Sequence, residues 1–191
     1  MRLLRAANHR RMPWKNGGGV TTEIAVFPAG AGLDAFEWRL SMATVASDGP
    51  FSLFAGVDRT LAVLEGEGIV LSVEGRSEQR ITPGSPPVSF AADRPTSAKL
   101  VSGAVTDLNA MIRRGVWTHR MERLIVDGKA AIADGGDRAI VFCARGSVAI
   151  SDGEERLALS LHDAALVDGL PLEATGSGPA ALYVVRLSRV A

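Results

Sequence analysis

Glycine, proline, aspartate and serine divide the sequence into many short apolar or alternating segments, and this punctuation limits the possible folds more than any other feature. Residues 36–45 and 106–113 are the clearest examples, because apolar and polar side chains alternate along both. Alternation with a period of two is typical of a β-strand that buries one face. No stretch carries a convincing helical stripe, and residues 118–126 are the nearest helical candidate. The pattern therefore predicts an all-β sandwich or barrel with little helix.

An internal repeat indicates that this β-structure is duplicated. Residues 58–75 and 137–153 both read as a charged start, an apolar strand, a glycine, a second strand and a glycine turn. The Asp-Arg pair and the apolar residues of the first strand match at a shift of 79. Two glycine pairs match at a shift of 78 instead: Gly68 with Gly146, and Gly75 with Gly153. This slip reverses side-chain parity, so the repeat requires a small insertion or a β-bulge; chance similarity is the alternative.

The strand–glycine–strand–turn unit resembles the cupin module. Two copies imply a two-lobed bicupin, in which each lobe is a double-stranded β-helix, or jelly roll. We place an N-terminal lobe at residues 1–115 and a C-terminal lobe at residues 116–191, packed as one compact unit. A chain of 191 residues, 47% of them hydrophobic, is large enough for one domain or two small ones.

Charge and cysteine content exclude several classes of function. The 21 basic and 21 acidic residues cancel, which gives no support for binding to nucleic acid or to an acidic membrane surface. The apolar runs are shorter than the roughly 18 residues that a membrane span needs, and the basic N-terminus lacks the apolar stretch of a secretory signal. The single cysteine, Cys143, fits a reducing compartment. We therefore expect a cytoplasmic protein.

The sequence offers few residues for metal or nucleophilic chemistry. Metal-using cupins resemble one another in a His-x-His pair followed by a glutamate and a later histidine. Here the three histidines are His9, His119 and His162, and residues 49–56, where the pair would stand, contain none. Cys143 lies in the middle of an apolar strand, where a buried thiol is the simpler interpretation. We predict no metal and no other cofactor.

Four segments carry more polar detail than a β-barrel requires: residues 12–23, 36–41, 48–60 and 107–115. Their most specific motifs are Trp14-Lys-Asn-Gly-Gly-Gly19, Gly56-Val-Asp-Arg-Thr60 and Asp107-Leu-Asn-Ala-Met111. Together they closely resemble the HutD/Ves family of bacterial cupin-like proteins, over most of residues 3–115, and the part from Trp117 onward matches more loosely. The resemblance implies a bicupin without a catalytic metal, often encoded beside histidine-degradation enzymes. It also implies binding of a small anionic metabolite, of the urocanate or formylglutamate kind, that restrains flux. The Ves branch remains an alternative.

Arginine is the residue best suited to hold such an anion. Arg59 begins a strand in phase with Leu61 and Val63, so it can point into the barrel and bind a carboxylate with two hydrogen bonds. A structural ion pair with Asp58 or another carboxylate is the alternative. Arg39 and Ser41 share the polar face of their strand, for which exposure to solvent is the alternative.

Other candidates surround these residues. Asp107 and Asn109 share a face and either contact the ligand or satisfy buried arginines. Four polar residues near the N-terminus either cover the barrel mouth or form a local turn network: Lys15, Asn16, Thr21 and Glu23. Trp14 and Phe51 either stack on a planar ligand or belong to the core.

These residues support three hypotheses for function. The first is a binding protein without enzymatic activity that takes a small carboxylate metabolite through arginine and modulates histidine utilisation. The second is a metal-free isomerase or hydrolase, in which Glu23 or Asp107 acts with Arg39 in acid–base catalysis. The third is an interaction module whose outer sheet faces a partner. A homodimer is the default assembly for a cupin.

Overall fold

The computed structural model describes residues 1–14, 17–133, 135–169 and 171–190. Apart from a 3-10 helix at Ala6–Asn8, the regular elements are β-strands. The first eleven are β1 (Arg2–Leu4), β2 (Arg10–Pro13), β3 (Gly19–Phe27), β4 (Trp38–Val45), β5 (Gly49–Pro50), β6 (Val57–Glu65), β7 (Ile69–Val73), β8 (Gln79–Ile81), β9 (Val88–Ala91), β10 (Thr96–Leu100) and β11 (Val105–Arg113). The others are β12 (Trp117–Val126), β13 (Lys129–Ile132), β14 (Arg138–Arg145), β15 (Val148–Ser151), β16 (Arg156–Leu159), β17 (Ala164–Val167), β18 (Leu172–Gly176) and β19 (Ala180–Arg189).

The chain forms two compact units. The first unit is Arg10–Val116, and the second unit is Met1–His9 together with the chain from Trp117 onward. The predicted boundary lies between residues 115 and 116, one position from the observed one, but the sequence assigned residues 1–9 to the N-terminal lobe. The structure assigns them to the second unit because β1 pairs with β17, from Arg2 opposite Leu166 to Leu4 opposite Ala164.

The first unit consists of two antiparallel sheets. One has six strands in the order β2-β3-β4-β11-β6-β9, and the other has four in the order β5-β10-β7-β8. Apolar side chains from both sheets form a shared core: Leu61, Val63, Ile69, Leu71, Val73, Ile81, Phe90, Ala98 and Val105. Alternation positions this core, because Leu61 and Val63 in β6 and Leu71 and Val73 in β7 are each two residues apart.

The second unit repeats this arrangement. Its sheets have the strand orders β1-β17-β14-β19-β12 and β13-β18-β15-β16. Buried apolar side chains again come from both sheets and include Val141, Leu182 and Val184 from one and Ile150 and Leu172 from the other. The all-β, cupin-type fold predicted from the sequence is confirmed.

The strand pairings correct the alignment of the repeat. Gly66, at the end of β6, approaches the backbone of Ala104, and Gly146, at the end of β14, approaches the backbone of Pro179 in the same way. These two glycines therefore correspond, at a shift of 80 rather than 79 or 78. Both have a positive φ, and a Cβ atom at either position would lie within 3.0 Å of a carbonyl oxygen, so only glycine fits.

The same shift applies along the preceding strands. Leu61 and Val63 face the core of the first unit, and Val141 and Cys143 face the core of the second. The shift falls to 79 after the glycines, because three residues separate β6 from β7 and two separate β14 from β15. The slip that the sequence alignment needed is therefore a one-residue difference in this turn.

Residues 118–126, the nearest helical candidate of the sequence, do not form a helix. It is part of β12, which pairs with β19 over ten positions, from Trp117 opposite Arg189 to Val126 opposite Ala180. Pairing along a neighbouring strand overrides a weak local pattern. Across the described ranges, no helix has the length and apolarity needed to cross a membrane.

Candidate functional site

A cavity of about 560 Å³ opens in the first unit and is lined by many of the predicted site residues. The predicted polar residues that line it are Thr21, Arg39, Ser41, Arg59, Asp107 and Asn109. Of the predicted aromatic residues, Trp14 and Phe51 line it. Glu23 stands behind this lining, where it contacts Arg39, and Lys15 and Asn16 lie outside the described residues.

Strand register brings the polar side chains of three strands onto one face of the six-stranded sheet. Met111 in β11 lies opposite Arg39 in β4 and opposite Arg59 in β6. The adjacent row of that face joins Ser41 to Asn109. Because side chains on one face of a strand recur every second residue, residues far apart in sequence meet here.

Arg59 is the least satisfied charged group of the cavity. Its side chain is buried, with 8% of the residue exposed. Nη2 lies 3.5 Å from the Sδ atom of Met111, while Nε and Nη1 have no hydrogen-bond partner among the described residues. Burial lowers the pKa of Arg59 to about 10, against an opposing effect of Asp107. Of the carboxylates in the predicted alternative, Asp58 instead accepts from Arg114 at 2.7 Å, and Asp107 is the one whose charge acts on Arg59.

Arg39 is buried as well, but it has a partner. Its Nε donates to Glu23 Oε2 at 2.7 Å, and Nη1 lies 3.4 Å from the hydroxyl of Ser41. Arg39 and Ser41 are 5% and 2% exposed, so the alternative of solvent exposure is wrong for both. The sequence correctly placed both residues on one face of β4. This face points into the cavity rather than toward solvent.

Asp107 and Asn109, two residues apart on the same face of β11, form a hydrogen-bonded pair. Asn109 Nδ2 donates to Asp107 Oδ1 at 2.6 Å, and Asn109 Oδ1 has no partner among the described residues. Burial raises the pKa of Asp107 to about 6, despite opposing effects of the Arg59 charge and of hydrogen bonds from Asn109 and the backbone of Ala43. The pair thus places a readily protonated carboxyl and an open amide oxygen in one cavity.

Aromatic rings cover Arg59. The guanidinium carbon lies 4.9 Å from the ring centre of Phe51 and 5.9 Å from that of Phe54. Phe51 also packs edge-to-face against the core residue Phe90, so it serves both the core and the cavity wall. Sequence reasoning missed Phe54, although it lies three residues after Phe51 in a segment already recognised as unusual.

A tight hairpin positions Trp14 at the cavity. The indole Nε1 donates to Thr21 Oγ1 at 2.8 Å, and the backbone N–H of Trp14 donates to the carbonyl of Gly19 at 2.9 Å. A side chain on Gly19 would collide with the carbonyl oxygen of Thr44 and with the Trp14 ring. The lack of a side chain at Gly19 therefore allows Trp14 to pack closely against the start of β3.

Sequence and structure comparisons assign the chain to a family. A sequence model described as HutD matches residues 6–184. The chain belongs to the HutD family. An uncharacterised 21.2 kDa protein from the hutC 3′ region of Pseudomonas putida is 36% identical over 170 residues, which are 88% of this chain and 87% of that protein.

Two solved structures resemble the whole chain. A conserved protein of unknown function from Pseudomonas aeruginosa PAO1 is 34% identical and has a TM-score of 0.90, with 100% of this chain and 99% of that chain covered. HutD from Pseudomonas fluorescens SBW25, crystallised in a formate condition, is 34% identical and has a TM-score of 0.83 over the same shares of the two chains. The predicted resemblance to the HutD family is confirmed.

In this HutD-family chain, the second unit has apolar residues at three of the positions that line the cavity of the first, whereas Arg120 and Glu122 stand at the positions of Arg39 and Ser41. Strand pairing makes Leu182 equivalent to Asp107 and Val184 equivalent to Asn109, because the paired residues of β14 and β6 correspond at a shift of 80. Ala139 takes the place of Arg59. Leu182, Val184 and Ala139 are all fully buried. Arg59, Asp107 and Asn109 thus have no polar counterpart at these three positions of the second unit.

The histidines do not build a metal centre among the described residues, where no group of three or more histidine, cysteine, aspartate or glutamate side chains is arranged to hold an ion. His162 stacks on Phe142 with ring centres 5.8 Å apart. Burial raises the pKa of the Cys143 thiol to about 11, so the thiol stays protonated at neutral pH.

Proposed function

We propose that this HutD-family protein binds a small carboxylate metabolite, of the urocanate or formylglutamate kind, and thereby modulates histidine utilisation. The observation that carries the proposal is the buried guanidinium of Arg59 at a cavity wall, where two of its nitrogen atoms have no hydrogen-bond partner among the described residues. An unsatisfied buried donor is costly, about 1–3 kcal/mol. A carboxylate oxygen that accepts from Nη1 would recover the cost at that atom through a charge-assisted hydrogen bond, and an acceptor on the other side of the guanidinium would do the same for Nε.

The charge arrangement of the cavity favours an anion at Arg59. Glu23 neutralises Arg39 through their 2.7 Å ion pair, so Arg39 offers little free charge to a ligand. Asp107 opposes the effect of burial on Arg59 but makes no hydrogen bond to it. Arg59 is thus the cation with unused hydrogen-bonding capacity, and the rings of Phe51 and Phe54 beside it fit a planar organic acid.

The link to histidine utilisation rests on relatives. One relative comes from the hutC 3′ region of P. putida, and another carries the name HutD. A protein that binds an intermediate of a degradative route can lower the free concentration of that intermediate or report it to a partner. The proposed role is therefore regulatory rather than catalytic.

Calorimetry with matched ligands tests this proposal. We expect urocanate or N-formylglutamate to bind, and the corresponding neutral amide of the bound acid to bind about tenfold to a hundredfold more weakly, because it cannot form the charged hydrogen bonds. Equal affinity for acid and amide would contradict the role of Arg59. If a panel of small organic acids gave no binding heat and no displacement, the proposal would be wrong.

A second candidate function is metal-free acid–base catalysis. Asp107, whose pKa burial raises to about 6, can take up or release a proton near neutral pH. Incubation of chelator-treated protein with the acids that bind, followed by NMR, distinguishes the two. We expect each acid to remain unchanged; steady turnover that Asp107→Asn abolishes would favour the enzyme instead.

A further inference from the structure

We propose that the ligand carries a hydrogen-bond donor as well as a carboxylate, and that Asn109 selects for this donor while Asp107 positions the Asn109 amide. The inference rests on the proposed function, because it concerns a second pole of the same cavity. It names the ligand class more narrowly: an acid with an N–H or O–H group beside or beyond its carboxylate.

The open acceptor is the Oδ1 atom of Asn109. The residue lines the cavity and is 4% exposed, yet this oxygen has no partner among the described residues. Buried side-chain acceptors in folded proteins almost always have a partner. An acid without a donor would accept from Arg59 but leave Asn109 Oδ1 without a hydrogen bond. The free-energy cost of this buried, unpaired oxygen would remain in that complex, whereas an acid with a donor would remove it.

Asp107 fixes which end of the amide faces the ligand. An ionised carboxylate only accepts hydrogen bonds, so the amide nitrogen must point toward Asp107 and the amide oxygen must point away. The 2.6 Å contact from Asn109 Nδ2 to Asp107 Oδ1 has this orientation. The backbone of Ala43, directly opposite on the neighbouring strand β4, also favours the ionised form of Asp107 by lowering its pKa. Asp107 is therefore a positioning residue whose own place is fixed by the sheet.

Two poles of opposite hydrogen-bonding character result. Within the part of the chain that the structure describes, Arg59 Nε and Nη1 are donors without an acceptor, and Asn109 Oδ1 is an acceptor without a donor. The residues lie in adjacent rows of one sheet face, because Asn109 pairs with Leu61, two positions along β6 from Arg59. A ligand of one or two ring widths spans such a separation, since one row follows the next by about 7 Å along a strand.

Pyrrole-3-carboxylate and furan-3-carboxylate are the matched probes, because they have nearly the same shape, hold the ring heteroatom across the ring from the carboxylate and differ in ring N–H against ring oxygen. We expect the wild-type protein to bind the pyrrole acid about tenfold more tightly. In Asn109→Val the preference should fall to about one. Val184 occupies the equivalent position of the second unit, so valine suits this place in the strand. Thr106→Ala, on the same strand but the opposite face, should keep the preference.

The pH dependence of the preference tests the role of Asp107. The groups that face its carboxyl are Asn109 on its own strand, the Ala43 backbone on β4 and the Arg59 charge on β6, with the Arg39–Glu23 pair beyond. Below the Asp107 pKa of about 6, the protonated carboxyl can donate, and the amide is free to reverse. We expect the pyrrole preference to fall from about pH 8 to about pH 5, and to be low and independent of pH in Asp107→Asn.

The possible outcomes separate this inference from the proposed function. Tight binding of both acids with equal affinity overturns the selection by Asn109 and leaves carboxylate binding intact. A preference that survives in Asn109→Val overturns the assignment to Asn109. Failure of both probe acids, of urocanate, of N-formylglutamate and of the remaining acids of the panel to bind overturns the proposed function and this inference together.

Discussion

Replacement of Arg59 by methionine is expected to weaken binding of the carboxylate about a hundredfold or more while leaving the protein folded. The charge of the guanidinium and at least one charge-assisted hydrogen bond to the carboxylate would be lost, and the hydrogen bond alone is worth about 1.5–3 kcal/mol. Methionine has a similar length and packs well among irregular apolar neighbours, here Met111, Phe51 and Phe54. We therefore expect this variant to lose binding of the carboxylate but to keep its fold.

The stability of Arg59→Met should depend on pH through Asp107. Burial already raises the pKa of Asp107 to about 6, and loss of the Arg59 charge raises it further. A carboxyl whose pKa is higher in the folded state than in the unfolded state favours folding at acid pH, and this benefit is lost as the pH rises through the folded value. We expect the variant to match or exceed the wild type at about pH 5 and to lose ground by about pH 8.

Calorimetry and guanidinium unfolding at the two pH values check both parts. Arg80→Met is the control, because Arg80 is an exposed arginine of the same unit. The control should bind the acid normally and show no such pH dependence. Undiminished affinity in Arg59→Met would remove Arg59 from the site, and complete unfolding at both pH values would show that the guanidinium is structural.

The fold could be predicted from the sequence because its main signals are local. Alternation in β4 and β11 and the glycines that close β6 and β14 define strands without reference to the rest of the chain. Register is different. The shift of 80 between the two halves depends on how Gly66 and Gly146 approach a neighbouring strand, and no local pattern records that approach. The pairing of residues 1–9 with the second unit is equally nonlocal.

The residues of the candidate site could be predicted where the sequence shows which side chains share a face of a strand. Arg39 and Ser41 were correctly placed on one face, and Arg59 was correctly aligned with Leu61 and Val63. Whether a polar face meets solvent or a cavity is not encoded within one strand, because it depends on which strands lie beside it. Phe54 was missed for the same reason, since a loop has no period from which to infer the direction of its side chains.

The contrast between the two units leads to the largest expected effect on stability. Leu182 in β19 is equivalent to Asp107 in β11, but its surroundings are apolar: it is fully buried and packs in a core with Val141, Cys143 and Val184. The Cys143 thiol offers no donor, because it points to the carbonyl oxygens of Arg145 and Gly146. Leu182→Asp would therefore bury a carboxyl without a partner, and we expect a loss of about 4 kcal/mol or more in the free energy of unfolding.

Two further variants separate the causes of that loss. Leu182→Asn has nearly the shape of Leu182→Asp without the ionisable group, so both should lose stability, but only the aspartate variant should lose more as the pH rises from about 5 to about 8. Asp107→Leu makes the reverse exchange in the first unit. It removes a carboxyl that burial already disfavours, and it should cost at least about 2 kcal/mol less than Leu182→Asp. Guanidinium unfolding measures all three. A ligand cavity should tolerate an apolar replacement of Asp107, whereas an apolar core should not tolerate a carboxyl in place of Leu182. Equal losses of stability in Asp107→Leu and Leu182→Asp would therefore mean that the polar residues of the first unit are structural.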